Sequence, residues 1–436
     1  MSGSRLDRRM FRTRFTLAAA AVAVVMLGVS ACGGPTPSRT LLPASTALPI
    51  SSSAPVPASS TPATMALPTP SLAPTSASSS PAARSSSPSS SGFLAQSVTL
   101  LSNDDAWLLG GARCSSGWCI AIRHTIDRGR SWTAVPAPPA PLDADHPEGV
   151  SELRFADAAD GFAFDPGVWA THDGAAHWHQ VHLPGAVLAM ASADREVYAV
   201  VAPCWPFTGS CTTPARLYRS PTGVDAWQLV AGLSLPSQLG VVLRLQGSRV
   251  FLLVEASPAP YLVGSVDGSQ FGRLVDPCPF PSTGPRSAPA GLTVSTVSDL
   301  AVACSGGAAA GSEGKRVYVS ADGGHTYRRI ADPPLGGEAG ELAAANLTTL
   351  LMTASSGASF IYRTSGADTA WTMPVWFGDG GVGFTDLGCS DPTHCAVVYG
   401  RAEMAATISA NPPPHLGTLY LTDDGGATWQ AAVVSE

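Results

Sequence analysis

Basic charge is scarce in this sequence. Its 436 residues hold 25 Lys and Arg against 32 Asp and Glu, a net charge of −7, and only 13% of the chain is charged. Nucleic-acid binding calls for a basic face, so the balance argues against that function class and against a basic patch pressed onto anionic lipid. Long apolar runs are missing too. The best of them, Leu17 to Val29, is too short to serve comfortably as a permanent membrane span. No two cysteines stand at the spacing of a zinc knuckle or a C-x-x-C redox motif, so neither metal nor thiol chemistry is indicated. No cofactor is expected.

The chain opens on a basic stretch, Arg5, Arg8, Arg9, Arg12 and Arg14 against Asp7, then the short apolar run and Ser30-Ala31-Cys32. That order is the pattern of an export signal rather than a structural helix. Val29-Ser30-Ala31-Cys32 resembles the bacterial lipobox. The resemblance implies a signal peptide over residues 1–31, lipidation (diacylglycerol, palmitate) of Cys32, and a chain anchored on the extracytoplasmic face of the cell membrane. Several acyl chains suffice for stable anchoring, since each buried CH₂ contributes roughly 0.8 kcal/mol. The alternative is an ordinary cleaved signal with a cysteine by chance. Loss of residues 1–31 leaves a net charge of −11. From Cys32 to Ser91 the chain is Pro, Ser, Thr and Ala with only Arg39 and Arg84 charged. Such a segment cannot bury enough apolar surface to offset its ordering entropy, and reads as a disordered stalk.

Eight further cysteines remain in a chain routed out of the cytoplasm, where disulfides persist. Cys114 and Cys119, Cys204 and Cys211, and Cys389 and Cys395 are near neighbours, which leaves Cys278 and Cys304. Local pairing is the simplest reading, and spacing alone does not fix the connectivity.

Residues 92–436 carry an internal repeat. Thr422-Asp423-Asp424-Gly425-Gly426-Ala427-Thr428-Trp429 recurs around Asp322 and Tyr327, and more loosely around Asp127 and Trp132 and around Asp173 and Trp178. Decayed copies end at Trp227, Phe271 and Trp371. The steps between the aromatics are 46, 49, 44, 56, 44 and 58 residues, the period of a four-stranded propeller blade. Seven aromatics predict an all-β, seven-bladed β-propeller. The repeat resembles the Asp-box, or bacterial neuraminidase repeat, whose glycines supply positive φ in a tight hairpin and whose Asp accepts backbone N–H bonds there. The resemblance makes Asp127, Asp173, Asp322 and Asp424 fold residues that lie away from the working face. The blade grammar Phe155-x-Asp157-x3-Gly161-Phe162 is similar to that of non-catalytic photosystem II stability and assembly factors and sortilin-type ectodomains.

In antiparallel blades the one-to-two and three-to-four turns share the face that carries the boxes. The two-to-three loops and the blade-to-blade crossovers share the other. The insertions Pro136–Glu148, Cys204–Cys211, Asp276–Ala290, Cys304–Lys315 and Arg401–Gly417 all map to this second face, where binding residues are expected. Trp118, Trp205, Phe207, Phe280, Trp376 and Phe377 lie near these loops and are the candidate ligand-face aromatics, for a glycan or an envelope protein. Each has a plainer reading as a cap on a blade end. Asp143, Asp145, His146 and Glu148 read as a solvated acidic loop rather than a metal site.

Catalysis finds little support. Sialidases, which share the repeat, use an Arg-Ile-Pro motif before the first box, and none precedes Asp127; the nearest string, Arg329-Ile330-Ala331, lacks the proline. A glycosidase pair among Asp104, Asp105, Asp157, Asp165, Asp386 and Glu403 stays open, although most of these sit in turns where carboxylates are ordinary. The reading favoured is a monomeric binding propeller, with an envelope glycoside hydrolase as the alternative.

Overall fold

The computed structural model describes residues 92–434 apart from 116, 205–211, 238, 257–258, 279–287, 367–369 and 407–413. The signal, Cys32 and the stalk lie outside the described residues, as do Trp205, Phe207, Cys211 and Phe280. Among the described residues no helix is long and apolar enough to cross a membrane.

The strands form seven four-stranded antiparallel sheets, each of four strands consecutive in sequence. The inner strands, in chain order, are Phe93–Leu100, Glu152–Phe155, Ala186–Ala193, Gly240–Gln246, Ala288–Val294, Glu338–Asn346 and Phe384–Cys389. Each packs beside the inner strand of the following blade, and the seventh packs beside the first, so the sheets close a ring around a central channel. This is the seven-bladed propeller that the aromatic spacing predicts.

Second strands such as Val250–Val254 and Ala396–Tyr399 are buried at every residue. They lie between two neighbouring sheets, which is why they read as continuous apolar runs instead of alternating. The apolar core is divided accordingly, with one cluster at each blade interface. The cluster that joins the first and last blades holds Val98 and Leu108 against Val398 and Leu419. Each such side chain contributes about 1.5–3 kcal/mol when fully buried.

All seven repeat aromatics stand immediately before the outer strand of their blade. Two of them also tie blade to blade: Trp178 Nε1 donates to Pro136 O at 3.0 Å, and Trp371 Nε1 donates to Ala331 O at 2.7 Å. The turns before them share one hydrogen-bond pattern. In the last blade Thr422 Oγ1 donates to Asp424 Oδ1 (2.8 Å) and accepts from Gly426 N (2.9 Å), while Thr428 N and Oγ1 donate to the two carboxylate oxygens (2.9 and 2.7 Å). Asp127, Asp173 and Asp322 repeat the arrangement with Ser131, His177 and Thr326. The bonds from Ser131 hold Asp127 down at about 2, and those from His177 hold Asp173 at about 2. Asp322 and Asp424 are lowered in the same way.

Among the described residues no strand is exchanged to close the ring. Ala95 N donates instead to Gly417 O of the last blade at 2.7 Å, at a bulge in the first inner strand. Gly417 has φ +69°, and a Cβ there would lie 2.7 Å from Leu94 Cβ, so only glycine fits this seam.

Three disulfides join Cys114 to Cys119, Cys278 to Cys304, and Cys389 to Cys395. Cys204 is disulfide-bonded as well. The expected loop Cys304–Lys315 is instead strand. Residues Leu300–Ala309 pair with Ser312–Ser320 almost to a two-residue turn, because the Gly- and Ala-rich stretch that reads as a loop here continues a ladder. Lys315, the one lysine in the chain, is buried in this extension. Its Nζ donates to the carbonyls of Glu313, Leu335, Gly336 and Gly337 at 2.6–3.2 Å. Burial pushes it down to about 8.

Candidate functional site in the central channel

The inner strands of three blades carry no charge, and those of the other four place charges in the channel. Glu152 and Arg154 come from the second blade, Arg244 from the fourth, Glu341 from the sixth and Asp386 from the seventh. Arg401 follows the second strand of the seventh blade, Cys395–Tyr399, on the crossover face. Residues nearly 250 positions apart thus meet only because the ring closes.

Asp386 is the hub. It sits at a bulge in its strand with φ +59°, a conformation uncommon outside glycine. Arg154 Nη2 donates to its Oδ1 at 2.6 Å and Arg154 Nη1 to its Oδ2 at 3.3 Å. Val98 N donates to Oδ2 at 2.7 Å, and the Ser97 hydroxyl donates to the same oxygen. Ser97 Oγ also approaches Glu152 Oε2 at 3.4 Å and accepts from Leu153 N at 3.0 Å. Glu152 in turn meets Arg401 Nη2 at 3.2 Å and Arg154 Nη2 at 3.4 Å. On the other side, Leu387 N donates to Glu341 Oε2 at 2.6 Å. One chain of contacts therefore runs from Arg401 through Glu152 and Arg154 to Asp386.

Charge and hydrogen bonding set the two carboxylates of this chain apart. Burial raises Glu152 to about 7, helped by the charge of Asp386 and opposed by Arg401 and Arg154. Burial raises Asp386 too, but there the Arg154 guanidinium and the bonds from Arg154, Ser97 and Val98 prevail, and the carboxyl is lowered. Glu341 is raised, by burial first and then by Asp386. Arg154 and Arg401 are raised by their acidic neighbours against the pull of burial, whereas burial lowers Arg244. A pair of carboxyls whose environments push them in opposite directions suits proton transfer, and guanidinium groups beside a protonated carboxyl suit anion binding.

Among the described residues, two donors at this end of the channel have no partner. Arg401 Nη1 and Gln96 Nε2 are buried without a hydrogen bond, although Gln96 Oε1 accepts from Glu403 N at 3.1 Å.

Of the acidic candidates, only Asp386 hydrogen-bonds within the network, while Glu403 and Asp165 act on Arg401 through charge. Asp104 pairs with Arg128 at 2.7 Å, Asp105 with His124 at 2.9 Å, and Asp157 accepts from the N–H groups of Ala159 and Asp160, all in turns at the opposite end. Asp165 is buried beside Ser151 Oγ (2.8 Å), near enough to Glu152 and Arg401 to act on both charges. Glu403 accepts from Ala144 N at 3.4 Å. The acidic loop is self-bonded, with Asp145 N on Asp143 Oδ1 and Glu148 N on His146 Nδ1.

The described aromatic candidates form no common platform. Trp118 lies under the Arg113 guanidinium at 4.2 Å, close to Leu142 and Ala402 on the crossover side. Trp376 and Phe377 are not in a loop but in the outer strand Thr372–Gly380, which runs longer than other outer strands. Phe377 packs on Phe384, Tyr399, His415 and Tyr420, while Trp376 is 56% exposed. Alternation along a strand explains the split.

Sequence reasoning missed Glu152, Arg154, Arg244, Glu341 and Arg401. It also missed His172, His179 and Asp225, which the fold brings together between the second and third blades.

No protein-family model and no curated protein sequence matches the chain. Solved structures do resemble it. A polysaccharide lyase of family PL25, an ulvan lyase bound to -[GlcA(1-4)Rha3S]-, is 7% identical with a TM-score of 0.51, over 79% of this chain and 96% of the lyase. YCF48 from Cyanidioschyzon merolae is 12% identical with a TM-score of 0.49, over 72% of this chain and 95% of that one. The GH74 enzyme of Niastella koreensis is 11% identical with a TM-score of 0.40, over 79% and 66%. At these identities the likeness is one of fold.

Proposed function

We propose that this chain is a lipid-anchored, extracytoplasmic binding propeller that receives an acidic group of a protein or glycan partner at the crossover-side end of its channel. The observation that carries the reading is the pair of unpaired donors, Arg401 Nη1 and Gln96 Nε2. A buried donor without a partner costs about 1–3 kcal/mol, which a carboxylate or sulfate oxygen would recover. With Glu152 raised to about 7, less negative charge opposes Arg154 and Arg401 near neutral pH, which favours an incoming anion. An array of carboxylated, sulfated and neutral glycans and peptides tests the site: acidic ligands are retained and raise the melting temperature, and equal retention of neutral ones overturns it. Mass spectrometry of the N-terminal peptide tests the anchor, with an unmodified Cys32 counting against it.

A glycoside hydrolase is the second reading, favoured by the opposite shifts of Glu152 and Asp386. Both carboxylates meet on one Ser97 hydroxyl, closer than the roughly 6.5–9.5 Å of an inverting pair, so retaining chemistry is the form this reading takes. Turnover of a chromogenic glycoside panel that is lost in Glu152→Gln would establish it.

A further inference from the structure

At the junction of the second and third blades, on the box-turn face and apart from the channel, His172, His179 and Asp225 turn three ligand atoms toward one another, all within 4.8 Å. His172 belongs to the box turn of the second blade, His179 to its outer strand His179–Gln180, and Asp225 to the corresponding turn of the third. The hydrogen bonding of His172 is the informative part. Its Nδ1 lies 2.7 Å from Asp160 Oδ1 and its Nε2 lies 3.0 Å from Asp225 Oδ2. Both neighbours are carboxylate oxygens, which accept only, and a neutral imidazole has a single N–H. If Asp160 takes that proton, the bare lone pair of Nε2 faces a carboxylate oxygen. His179 Nε2 reaches that same oxygen at 2.6 Å. Meanwhile Asp225 Oδ1 is buried with no hydrogen-bond partner. Asp225 itself is held at φ +46°, a placement that backbone preference alone disfavours.

We propose that this cluster binds a zinc-type divalent ion through His172 Nε2, His179 Nε2 and the Asp225 carboxylate. Two imidazoles and a carboxylate select a borderline transition ion over calcium or magnesium. A tetrahedral zinc with bonds of about 2.0–2.2 Å sets its ligand atoms roughly 3.3 Å apart, so the two nitrogen–oxygen contacts, now 3.0 and 2.6 Å, need to lengthen only slightly. Asp160 supplies the carboxylate–histidine support that fixes the Nδ1–H tautomer and aims Nε2 at the ion. Three protein ligands leave a fourth position, and His179, about half exposed, places it at the solvent boundary, open to water or to a ligand atom from a partner. The ion would also staple two neighbouring blades through their turns.

The test is zinc titration of the chelator-treated, untagged full chain at pH 7.5 by calorimetry, with cobalt(II) absorption as a second readout. One equivalent binds and raises the melting temperature, and four-coordinate cobalt gives intense visible bands. Asp225→Asn and His179→Ala each weaken binding by at least about 100-fold, and Asp160→Asn weakens it about 10- to 100-fold. His177→Ala, which removes the exposed partner of Asp173, leaves it unchanged. His179 is exposed enough that its variant folds even if His172 variants do not. Failure to saturate at one equivalent, or undiminished binding in His179→Ala, overturns the proposal. So does a melting temperature that rises on acidification with no response to zinc, the signature of a proton shared by the pair.

Discussion

The two ends of this molecule use carboxylates in opposite ways. On the box-turn face Asp127, Asp173, Asp322 and Asp424 repeat one local arrangement, exposed and bonded within four residues of themselves. In the channel Asp386, Glu152 and Glu341 are shielded from solvent, occur once each, and reach partners on other blades. A feature repeated around the ring serves what every blade needs, which is a stable hairpin. A feature that breaks the repeat is not required by the fold, and there the search for function belongs.

The largest effect should come from breaking the channel network. Arg154→Met strands Asp386 without its guanidinium and should cost about 3–5 kcal/mol, read by urea unfolding. A cost below 1 kcal/mol would mean that the network is solvated and carries no stored constraint. Next, Gly417→Ala forces a left-handed alanine against Leu94 at the ring seam, which should cost about 1–2 kcal/mol and, by hydrogen exchange, loosen the first and last blades before the others. Thr422→Val removes the three turn bonds of that hydroxyl from a buried position and should cost about 1–2 kcal/mol without local loosening of the channel. Trp376→Ala, on an exposed strand face, should change stability by less than about 0.5 kcal/mol.

The pH profile separates the two ends without mutation. The turn carboxylates titrate below their unfolded values, so their contribution is present above about pH 4 and is lost as pH falls toward 2. Glu152 is shifted the other way. Its contribution is full below about pH 4.5 and is lost as pH rises through about 7. Glu152→Gln should therefore flatten the stability curve between pH 5 and 8 and leave the acid limb in place.

The architecture was legible because one aromatic and one turn recur in every blade, and each blade must bury two faces. Four of the turns were legible down to their hydrogen bonds. Arg154 was not, because nothing near it in sequence marks it; its partners come from residues 97 and 386, which no local pattern joins. The clue that was present is Glu152-x-Arg154, two charges on alternate positions of an inner strand whose counterpart in the next blade is Ala186–Ala193, without a charge. The Cys304–Lys315 hairpin was misread for the converse reason. Glycine and alanine mark loops on average, but a tightly packed two-stranded extension also accepts them.

Whether the crossover-side end of the channel receives negative charge is tested most directly by equilibrium binding of an acidic ligand to Arg401→Gln. The prediction is affinity lost by at least about tenfold, with a smaller fall in melting temperature than Arg154→Met gives, since Arg401 pairs with Glu152 through one nitrogen only. Equal affinity in the variant would contradict it.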